Sequence, residues 1–525
     1  MKWKVLPKKS DDLVEQLLIN RGIKTSDEKE HFFNPKILNY QKDIEIPNID
    51  KAQKRILEAI KNNELIIVYG DYDVDGISAS AILYKGLTSI GVKVLPYIPH
   101  REKEGYGLSK IGLEFARDSG AAVVITVDNG IVAFAQAEFA KKLDLDLIIT
   151  DHHLPMDKKP TAYTIVHSTK MCGAAVAWCL IQSLLQKDLA NELLQFVALA
   201  TVCDLIPLIG LNRAFVYEGL KVLNRTTNLG ILALINEAGI KLGNIGSYEI
   251  GYILGPRLNA IGRLEHAIDA LRLLCTKDVN KARTLAKLLN ETNATRQQMT
   301  ATALEQAKLL VDINKKIHVL SSKDWSMGII GLIAGKVSDE YYRPAIAISL
   351  GEKVSKGSAR SINGVNIVEV IRTFSDILID VGGHPGAAGF SIETQYVEIF
   401  KTKIEKHLNN LPKQVEQTLG IDVEVKTKQL SKNLIHELQK FEPFGFENPR
   451  PIFATYNMEI NDVRTVGDGK HLKFKADGVD AIAFGMGELA TTLNNGQSVD
   501  LAYTPEIDTY NSNDKLQLKV KDIKH

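Results

Sequence analysis

The stretch DLIITDHH, from Asp146 to His153, joins a short apolar segment to one carboxylate and two imidazoles. A run that is apolar throughout predicts a β-strand covered on both faces. Alternation of such strands with helices predicts an α/β fold with a doubly wound parallel sheet. The other strands of this pattern are expected at 64–69, 93–98 and 121–127, and the helices at 78–90, 108–119 and 131–143.

Acidic residues follow these strands in a way that predicts a metal site. GDYDVDG occupies 70–76, VDNG occupies 127–130, and the apolar run before Asp204 is interpreted as a further strand with an acidic end. Ligands of doubly wound sheets bind at the carboxyl ends of the strands. Carboxylates mixed with imidazole suit two Mn²⁺ or Mg²⁺ ions better than a structural zinc. Because paired ions catalyse displacement at phosphorus, the chain is predicted to cleave phosphodiester bonds.

The rest of the chain predicts four further regions. The first 60 residues are polar and helical, although Ser26 followed by Lys29 does not form a capping box. A long polar helix is interpreted as a solvated connecting rod, and a second α/β unit follows it. Five or six short strands at the end predict an oligonucleotide-binding (OB) barrel. The expected regions are a helical preface 1–60, a catalytic domain 61–277, a connecting helix 278–313, a substrate domain 314–412 and the barrel 413–525.

The composition excludes several classes of protein. Of 525 residues, 45% are apolar and 24% are charged, and no apolar run approaches the ~20 residues of a membrane span. The amino terminus lacks the apolar core of a secretory signal, which favours the cytoplasm. The four cysteines form no CxxC pair, so we expect buried reduced thiols. The net charge of +1 leaves the partner open, because acidic metal ligands offset a basic groove elsewhere.

Jointly, the motifs resemble those of the RecJ-type exonucleases of the DHH phosphoesterase superfamily. The resemblance covers nearly the whole chain and implies a two-metal exonuclease that degrades single-stranded DNA from the 5′ end. It identifies the two α/β units as DHH and DHHA1-like domains. The motifs that carry it are GDYDVDG at 70–76, EGYGL at 104–108, VDNG at 127–130, DHH at 151–153, PRLNAIGRL at 256–264, KGSARS at 356–361, GGH at 382–384 and PFGFENP at 443–449.

The resemblance assigns roles at the metal site. Asp71 binds a metal or orders a water, Asp151 orients its neighbours, and His153 contacts phosphate or passes a proton to the leaving oxygen. A single carboxylate at a strand end often only caps the next helix or turn. So many converging acids, however, would repel one another without cations. The metal ligands implied are Asp73, Asp75, Asp128 as the bridge, His152 and Asp204.

A second set of residues is implied to recognise the DNA end. Guanidinium groups bind a terminal phosphate through bidentate hydrogen bonds. Each arginine has the alternative role of a surface or interdomain ion pair. The residues expected to hold the 5′-phosphate are Arg101, Arg263, Ser358 and Arg360, and His384 is expected to contact a phosphate.

The barrel and its aromatic residues supply further candidates. A basic face on one predicted hairpin would follow the phosphate backbone, and the alternative is a solvated strand face. Tyr106, Phe474 and Phe484 are candidates for base stacking, but core packing is the favoured role of both phenylalanines. The basic residues are Arg464, Lys470, His471, Lys473 and Lys475.

Two departures from the family pattern border the catalytic module, His167-Ser168 and Ala175. The expected activity is release of mononucleotides from single-stranded DNA in repair and recombination, by a monomer, with a helicase and a single-strand-binding protein as candidate partners. One alternative is a DHH phosphodiesterase acting on short RNA or signalling nucleotides. Another is an inactive DNA-binding scaffold, which predicts eroded carboxylates. The sequence leaves open the metal used in the cell, processivity and tolerance of RNA.

Overall fold

The computed structural model describes residues 1–101, 103–408, 416–508 and 515–525. The amino-terminal segment is helical but begins with a strand that pairs with a segment more than 400 residues away. A capping box does open its second helix, but it begins at Thr25 and not at Ser26. The Thr25 hydroxyl accepts from the Glu28 amide, and the Glu28 carboxylate accepts from the Thr25 amide. The elements are β1 (Lys2–Val5), α1 (Leu13–Asn20), α2 (Ser26–Phe33), α3 (Gln41–Ile44) and α4 (Ile49–Lys61).

The predicted doubly wound sheet is confirmed. Five parallel strands lie in the order β3-β2-β4-β5-β6, so successive strands are added on opposite sides of β2 and the topological switch point lies between β2 and β4. Ile66 and Val68 pack into the core on one face, and Ile67 and Tyr69 into the core on the other. The elements are β2 (Leu65–Tyr69), α5 (Val74–Ser89), β3 (Lys93–Tyr97), α6 (Lys110–Asp118), β4 (Ala121–Val127), α7 (Phe134–Lys142), β5 (Asp146–Asp151) and β6 (Thr164–His167).

A helical region follows the sheet and corrects one prediction. Asp204 ends a buried helix and not a strand. Periodicity cannot separate the two, because an entirely apolar run fits a buried strand and a buried helix equally well. The helices are α8 (Gly173–Ile181), α9 (Lys187–Cys203), α10 (Gly210–Leu223), α11 (Leu229–Glu237), α12 (Ser247–Glu249), α13 (Gly255–Leu264) and α14 (Ile268–Cys275), with a π-helical turn at Ile250–Leu254.

The long helix α15 (Val279–Leu309) joins this region to the second α/β unit. The prediction that it is a solvated rod is wrong for one of its faces. Leu285 and Leu289 belong to the first core, and Ala303 and Ala307 belong to a core of the second unit. The helix therefore packs against both units, and only its outer side faces solvent.

The second unit has a mixed five-stranded sheet in the order β10-β11-β9-β8-β7. Only β7 and β8 are parallel, and the other neighbours are antiparallel. The elements are β7 (His318–Ser322), α16 (Ile330–Tyr341), β8 (Ala345–Ser349), β9 (Val354–Arg360), α17 (Ile367–Arg372), β10 (Leu378–His384), β11 (Ala387–Glu393) and α18 (Val397–Leu408). The expected domain boundary after residue 412 lies outside the described residues.

The carboxy-terminal region confirms the predicted barrel. Strands β14, β15, β16, β18 and β17 close on themselves because β17 also pairs with β14. Phe474 is buried in the barrel core as expected, but Phe484 is half exposed, against expectation. The elements are β12 (Thr418–Ile421), β13 (Val423–Glu424), α19 (Lys432–Gln439), β14 (Phe453–Val466), β15 (His471–Ala476), β16 (Val479–Ala483), β17 (Gln497–Asp508) and β18 (Lys515–Lys524).

The preface belongs structurally to the barrel as much as to the catalytic domain. Leu17 and Leu18 of α1 are buried in the barrel core, whereas Ile56 and Ala59 of α4 join the core of the first sheet. No helix of the described ranges is long and apolar enough to cross a membrane.

Candidate metal centre and DNA-end cleft

The acidic segment that follows β2, residues 70–76, folds so that Gly76 lies against Asp71. Asp73 caps α5, since its Oδ1 accepts from the amides of Asp75 (2.9 Å) and Gly76 (3.1 Å). A Cβ on Gly76 would lie 2.6 Å from the Cβ of Asp71, so the turn needs glycine there. The capping role considered for a lone carboxylate is therefore real for Asp73, but it occupies only one of its two oxygens.

The amino terminus of α8 positions two further carboxylates. Both oxygens of Asp75 accept amide hydrogen bonds from α8, Oδ2 from Gly173 (2.7 Å) and Oδ1 from Ala174 (2.6 Å). Asp128 directly follows β4 and has a left-handed φ of 62°. A Cβ on Gly173 would lie only 2.7 Å from the Cβ of Asp128, so α8 approaches as closely as its glycine allows.

His152 occupies the middle of the cluster. Its Nε2 lies 3.0 Å from Asp128 Oδ1 and 3.6 Å from both Asp75 Oδ2 and Asp204 Oδ2. About 3 Å is the edge of an octahedron with 2.1 Å metal–ligand bonds. The structure thus brings together all five predicted ligands. The ligand atoms form three groups, and within each group they all lie within 4.8 Å of one another. The groups are Asp75-His152-Asp204, Asp71-Asp73-Asp128 and Asp128-His152-His153.

The donor set fits divalent cations. Among the described residues, Asp71 Oδ1 and Asp128 Oδ1 are buried without a hydrogen bond of regular geometry, although His152 Nε2 lies 3.0 Å from Asp128 Oδ1. A buried carboxylate oxygen is costly unless it is paired or coordinates a metal. Oxygen donors with one or two imidazoles match Mn²⁺ and Mg²⁺, and Asp128 belongs to two of the three ligand groups.

Burial and the closeness of the carboxylates also shift the pKa values of the cluster. Burial, followed by the charge of Asp73, raises the pKa of Asp75 to about 7, and burial with Asp75 and Asp73 raises the pKa of Asp204 to about 9. Burial and the neighbouring carboxylates also hold the pKa of Asp71 and of Asp128 well above the usual range. Burial lowers the pKa of His152 to about 4, so its imidazole is neutral and able to bind a metal.

Asp151 lies behind the cluster. Its carboxylate accepts from the amides of Ile131 (2.8 Å), His152 (2.7 Å) and His153 (3.1 Å), and its Oδ1 lies 2.8 Å from His153 Nδ1. Although burial opposes it, this pairing raises the pKa of His153. Asp151 thus holds His153 without belonging to any group of convergent ligand atoms.

His153 has two more neighbours. The Tyr106 hydroxyl lies 3.2 Å from the main-chain oxygen of Asp128 and 3.2 Å from His153 Nε2, a contact that the stacking hypothesis for Tyr106 did not include. His167, one of the departures from the family pattern, approaches the His153 carbonyl with its Nε2 at 2.7 Å. The altered residue therefore supports the backbone of the His pair.

The four residues expected to bind the DNA end line one cavity of about 750 Å³, together with Asp73. Arg101 lies over the ring of Tyr72, with 5.0 Å between guanidinium carbon and ring centroid. Arg263 donates to the Gly328 carbonyl (3.1 Å), and Arg360 donates to the Ala359 carbonyl (2.8 Å) and to Ser358 Oγ (3.3 Å). None of the three has a carboxylate within 4.0 Å in the part of the chain that the structure describes. The ion-pair alternative therefore finds no partner there.

Other residues of this cavity were missed from the sequence. Lys356 donates to Ser391, whose hydroxyl donates to Asp380 Oδ2 (2.7 Å), and all three line the cavity. Lys356 lies in KGSARS, so the motif contained a signal for it, whereas only the pairing of β9, β11 and β10 identifies the other two. His384 ends the exposed strand β10 and does not line the cavity, but its charge contributes to lowering the pKa of His152.

Basic side chains form a row across the barrel. Arg464 is opposite Lys473, Lys473 is opposite Ile482, and Ile482 is opposite Lys519, so the four side chains share one face. Phe484 lies beside it, 5.1 Å from His471 and 5.4 Å from the Lys519 amine. Lys475 is 3.3 Å from Asp462 and is thus partly neutralised. Lys470 precedes β15. Lys519 was not among the predicted residues.

Comparison with known proteins gives three domain matches and many relatives. Residues 65–201 match the DHH family, N-terminal domain, 314–419 match the DHHA1 domain, and 421–522 match the RecJ OB domain. The chain is 34% identical to the single-stranded-DNA-specific exonuclease RecJ of Bacillus subtilis, over 97% of this chain and 67% of that protein. It is 30% identical to RecJ of Salmonella typhimurium, over 99% of this chain and 96% of that protein.

Solved structures show the same similarity. RecJ of Thermus thermophilus in complex with Mn²⁺ superposes with a TM-score of 0.87 at 27% identity, covering all of this chain and 79% of that one. The Mg²⁺ complex of the same protein superposes with a TM-score of 0.80 at 26% identity. An exonuclease RecJ bound to manganese gives 0.63 at 31% identity, over 70% of this chain.

Proposed function

The chain belongs to the RecJ family of single-stranded-DNA-specific exonucleases, and we propose that it removes mononucleotides from the 5′ end of single-stranded DNA with two Mn²⁺ or Mg²⁺ ions. One observation carries the proposal. The carboxylate cluster and the arginine cavity share Asp73, so a DNA end held by the arginines lies beside the metal ligands.

The ligands proposed for the two ions are the residues of the two carboxylate groups. Asp75, His152 and Asp204 would hold one ion, Asp71 and Asp73 the other, and Asp128 would contact both. When bound, the ions supply an activated water and neutralise charge on the attacking and leaving oxygens. Asp75 has less free capacity to bind a metal, because both of its carboxylate oxygens also accept amide hydrogen bonds.

His153 is proposed as the proton donor to the leaving oxygen. Its raised pKa favours the protonated form, and Asp151 fixes the orientation of its ring. Tyr106 limits the rotation of the same ring through its hydroxyl. In the proposed step a water oxygen bonds to phosphorus, the bond from phosphorus to the 3′-oxygen breaks, and that oxygen takes the proton.

The choice of bond follows from the end cleft. Arg101, Arg263, Ser358 and Arg360 are proposed to bind the 5′-phosphate of the terminal nucleotide. Cleavage on the 3′-oxygen side leaves a phosphate on the next nucleotide, so each turnover creates the end that the cleft binds. Cleavage on the other side would leave a 5′-hydroxyl and stop the reaction after one step.

Digestion of end-labelled strands tests the proposal. Single strands of about forty nucleotides with a 5′-phosphate or a 5′-hydroxyl would be incubated with Mn²⁺, Mg²⁺ or excess chelator. A 5′ label should appear at once as mononucleotide, a 3′ label should give progressively shorter strands, and chelator should abolish both. Mononucleotide released first from the 3′ label would contradict the polarity, and full activity in chelator would contradict the metal requirement.

The cellular setting belongs to the same proposal. We propose a cytoplasmic monomer that acts in DNA repair and recombination beside a helicase and a single-strand-binding protein, because an enzyme restricted to single strands needs another protein to expose them. The inactive-scaffold alternative predicted eroded carboxylates, whereas all the predicted acids are present and converge. Sedimentation of the purified chain tests its monomeric state.

A further inference from the structure

Arg296 lies on the connecting helix at the level of the DNA-end cleft. Six residues before it, Asn290 accepts from Arg257 of α13 at 3.0 Å, and α13 also carries Arg263. Three residues after it, Met299 packs in the core that contains Ile330 of α16, and Ile330 lines the cleft. Arg296 is therefore placed where α15 passes from the catalytic domain to the substrate domain, behind the cleft wall.

The guanidinium of Arg296 has no compensating charge. Its Nε is buried without a hydrogen-bond partner among the described residues, and none of their carboxylates lies within 4.0 Å of it. Burial lowers its pKa. By contrast, the buried Arg55 makes ion pairs with Glu64 at 2.7 Å and Asp146 at 2.6 Å. Arg296 as a whole is only half-buried, but its buried Nε lacks the ion pair that satisfies Arg55.

The charge of Arg296 acts on the end cleft. After burial, the positive charges of Arg101, Arg296 and Arg360 lower the pKa of Arg263 to about 10, and Asp73 is the acid that opposes them. Three positive charges thus act on Arg263, and of the four arginines all but Arg296 line the cavity. An anion with more than one charge would relieve this repulsion.

We infer that Arg296 determines the specificity of the cleft for a doubly charged 5′-phosphate by supplying a fourth positive charge from behind its wall. The inference rests on the proposed recognition of the 5′-phosphate. A terminal phosphate monoester carries about −1.5 to −2 at neutral pH, whereas a phosphodiester carries one charge. Arg296 does not line the cavity, so it acts through its field and is a positioning residue.

The test uses ends of different charge. Wild type, Arg296→Gln and Arg296→Lys would be assayed on short single strands ending in a 5′-phosphate, a 5′-methyl phosphate or a 5′-hydroxyl. Arg283→Gln is the matched control, because Arg283 is an exposed arginine on the same helix, away from the cleft. The measured quantity is the ratio of kcat/KM between the phosphate and methyl phosphate ends, with circular dichroism as a check of folding.

We expect Arg296→Gln to reduce this ratio about tenfold, the effect of one unit charge on another roughly 12 Å away at an effective dielectric constant of about 20. Activity on the hydroxyl end should change much less, and Arg296→Lys and Arg283→Gln should retain most of the wild-type ratio. An unchanged ratio in Arg296→Gln, or an equal loss in Arg296→Lys, would overturn the inference. If Arg296→Gln does not fold, Arg296→Met, which also removes the charge but keeps a long side chain, replaces it, with the same two outcomes. If wild type treats all three ends alike, the proposed recognition of the 5′-phosphate is itself wrong.

Discussion

At the scale of single residues, the metal centre is an arrangement of carboxylates that is unfavourable without cations. Asp71, Asp75 and Asp128 are almost completely buried, and each raises the pKa of a neighbour or has its own raised. Asp128 also has a positive φ, which non-glycine residues adopt at some cost. Cation binding would offset both costs, so the apoprotein should be less stable than the loaded protein.

Replacement of Asp128 tests the bridge between the ions. Asp128→Asn preserves shape but removes the charge, and we expect kcat to fall by at least about a hundredfold, the upper cost of losing even an indirect metal contact. Its metal-free thermal stability should equal or exceed that of wild type, because repulsion in the cluster is reduced. A Mn²⁺ titration of activity and thermal unfolding in chelator measure the two effects. Wild-type activity at the same Mn²⁺ concentration would exclude the bridging role.

The raised pKa values predict how stability depends on pH in the metal-free protein. The pKa values of Asp75 (about 7) and Asp204 (about 9) exceed the value of about 3.9 in the unfolded chain, so the folded state binds more protons. Stability should therefore fall as pH rises from about 6.5 to 9. His153, with its raised pKa, contributes in the same direction. His152 is neutral in the folded protein, and because its unfolded imidazole loses its proton near pH 6.5, it opposes the trend only at the lower end of this range.

Thermal unfolding in chelator at pH 6.5, 7.5 and 9 checks this trend. Saturating Mn²⁺ should reverse it, because ligands must be deprotonated to bind the ion. A melting temperature that rises over the same range in chelator would show that the carboxylates titrate normally.

At the scale of elements, α8 is the support on which the metal centre rests. Its first amides bind Asp75, and its first residue contacts Asp128. The positive end of a helix dipole favours the carboxylate form. The departure at Ala175 lies in the first turn of this helix and is completely buried, so it changes packing behind the site and not the contact with the carboxylates.

The contact between Gly173 and Asp128 leads to a prediction about this support. In Gly173→Ala the new Cβ would lie 2.7–2.9 Å from three atoms of Asp128, so helix and carboxylate must separate. We expect about a tenfold or larger loss of apparent Mn²⁺ affinity in activity titrations. Ala175→Gly is the control, because it weakens the same helix by about 0.5–1 kcal/mol without touching Asp128. Equal Mn²⁺ affinity in the two variants would show that α8 only supports the fold.

At the scale of the whole molecule, the barrel is joined to the catalytic domain through the preface and through Arg213. This buried arginine of α10 donates to the carbonyls of Phe32, Glu442 and Pro443, and thereby links three regions of the chain. Because Leu17 and Leu18 lie in the barrel core, deletion of the barrel would expose the preface. Surface substitutions are therefore the better test of the barrel's role.

The basic row on the barrel is expected to bind phosphates distant from the cut. The double variant Lys473→Gln, Lys519→Gln should raise KM on strands of about forty nucleotides and leave strands of about four unaffected. Loss of two phosphate contacts should also reduce the salt dependence of log KM by about 1.4, since each contact contributes about 0.7 on single strands. Lys406→Gln, an exposed lysine of α18, is the control. An equal effect at both lengths would mean that the row does not contact DNA.

The sequence by itself determined the first sheet, the barrel and the place of the metal site. Strands such as Ala121–Val127 are apolar throughout because helices cover both faces, and parallel strands bring their carboxyl ends together. The tertiary structure alone decided that Asp204 ends a helix and that β1 pairs with β12. It also decided that α15 carries Arg296 past the end cleft, between α13 and α16, and that Phe484 is half exposed. Local periodicity reports how a segment is buried, but contacts between distant segments depend on how whole elements pack, which no local pattern records.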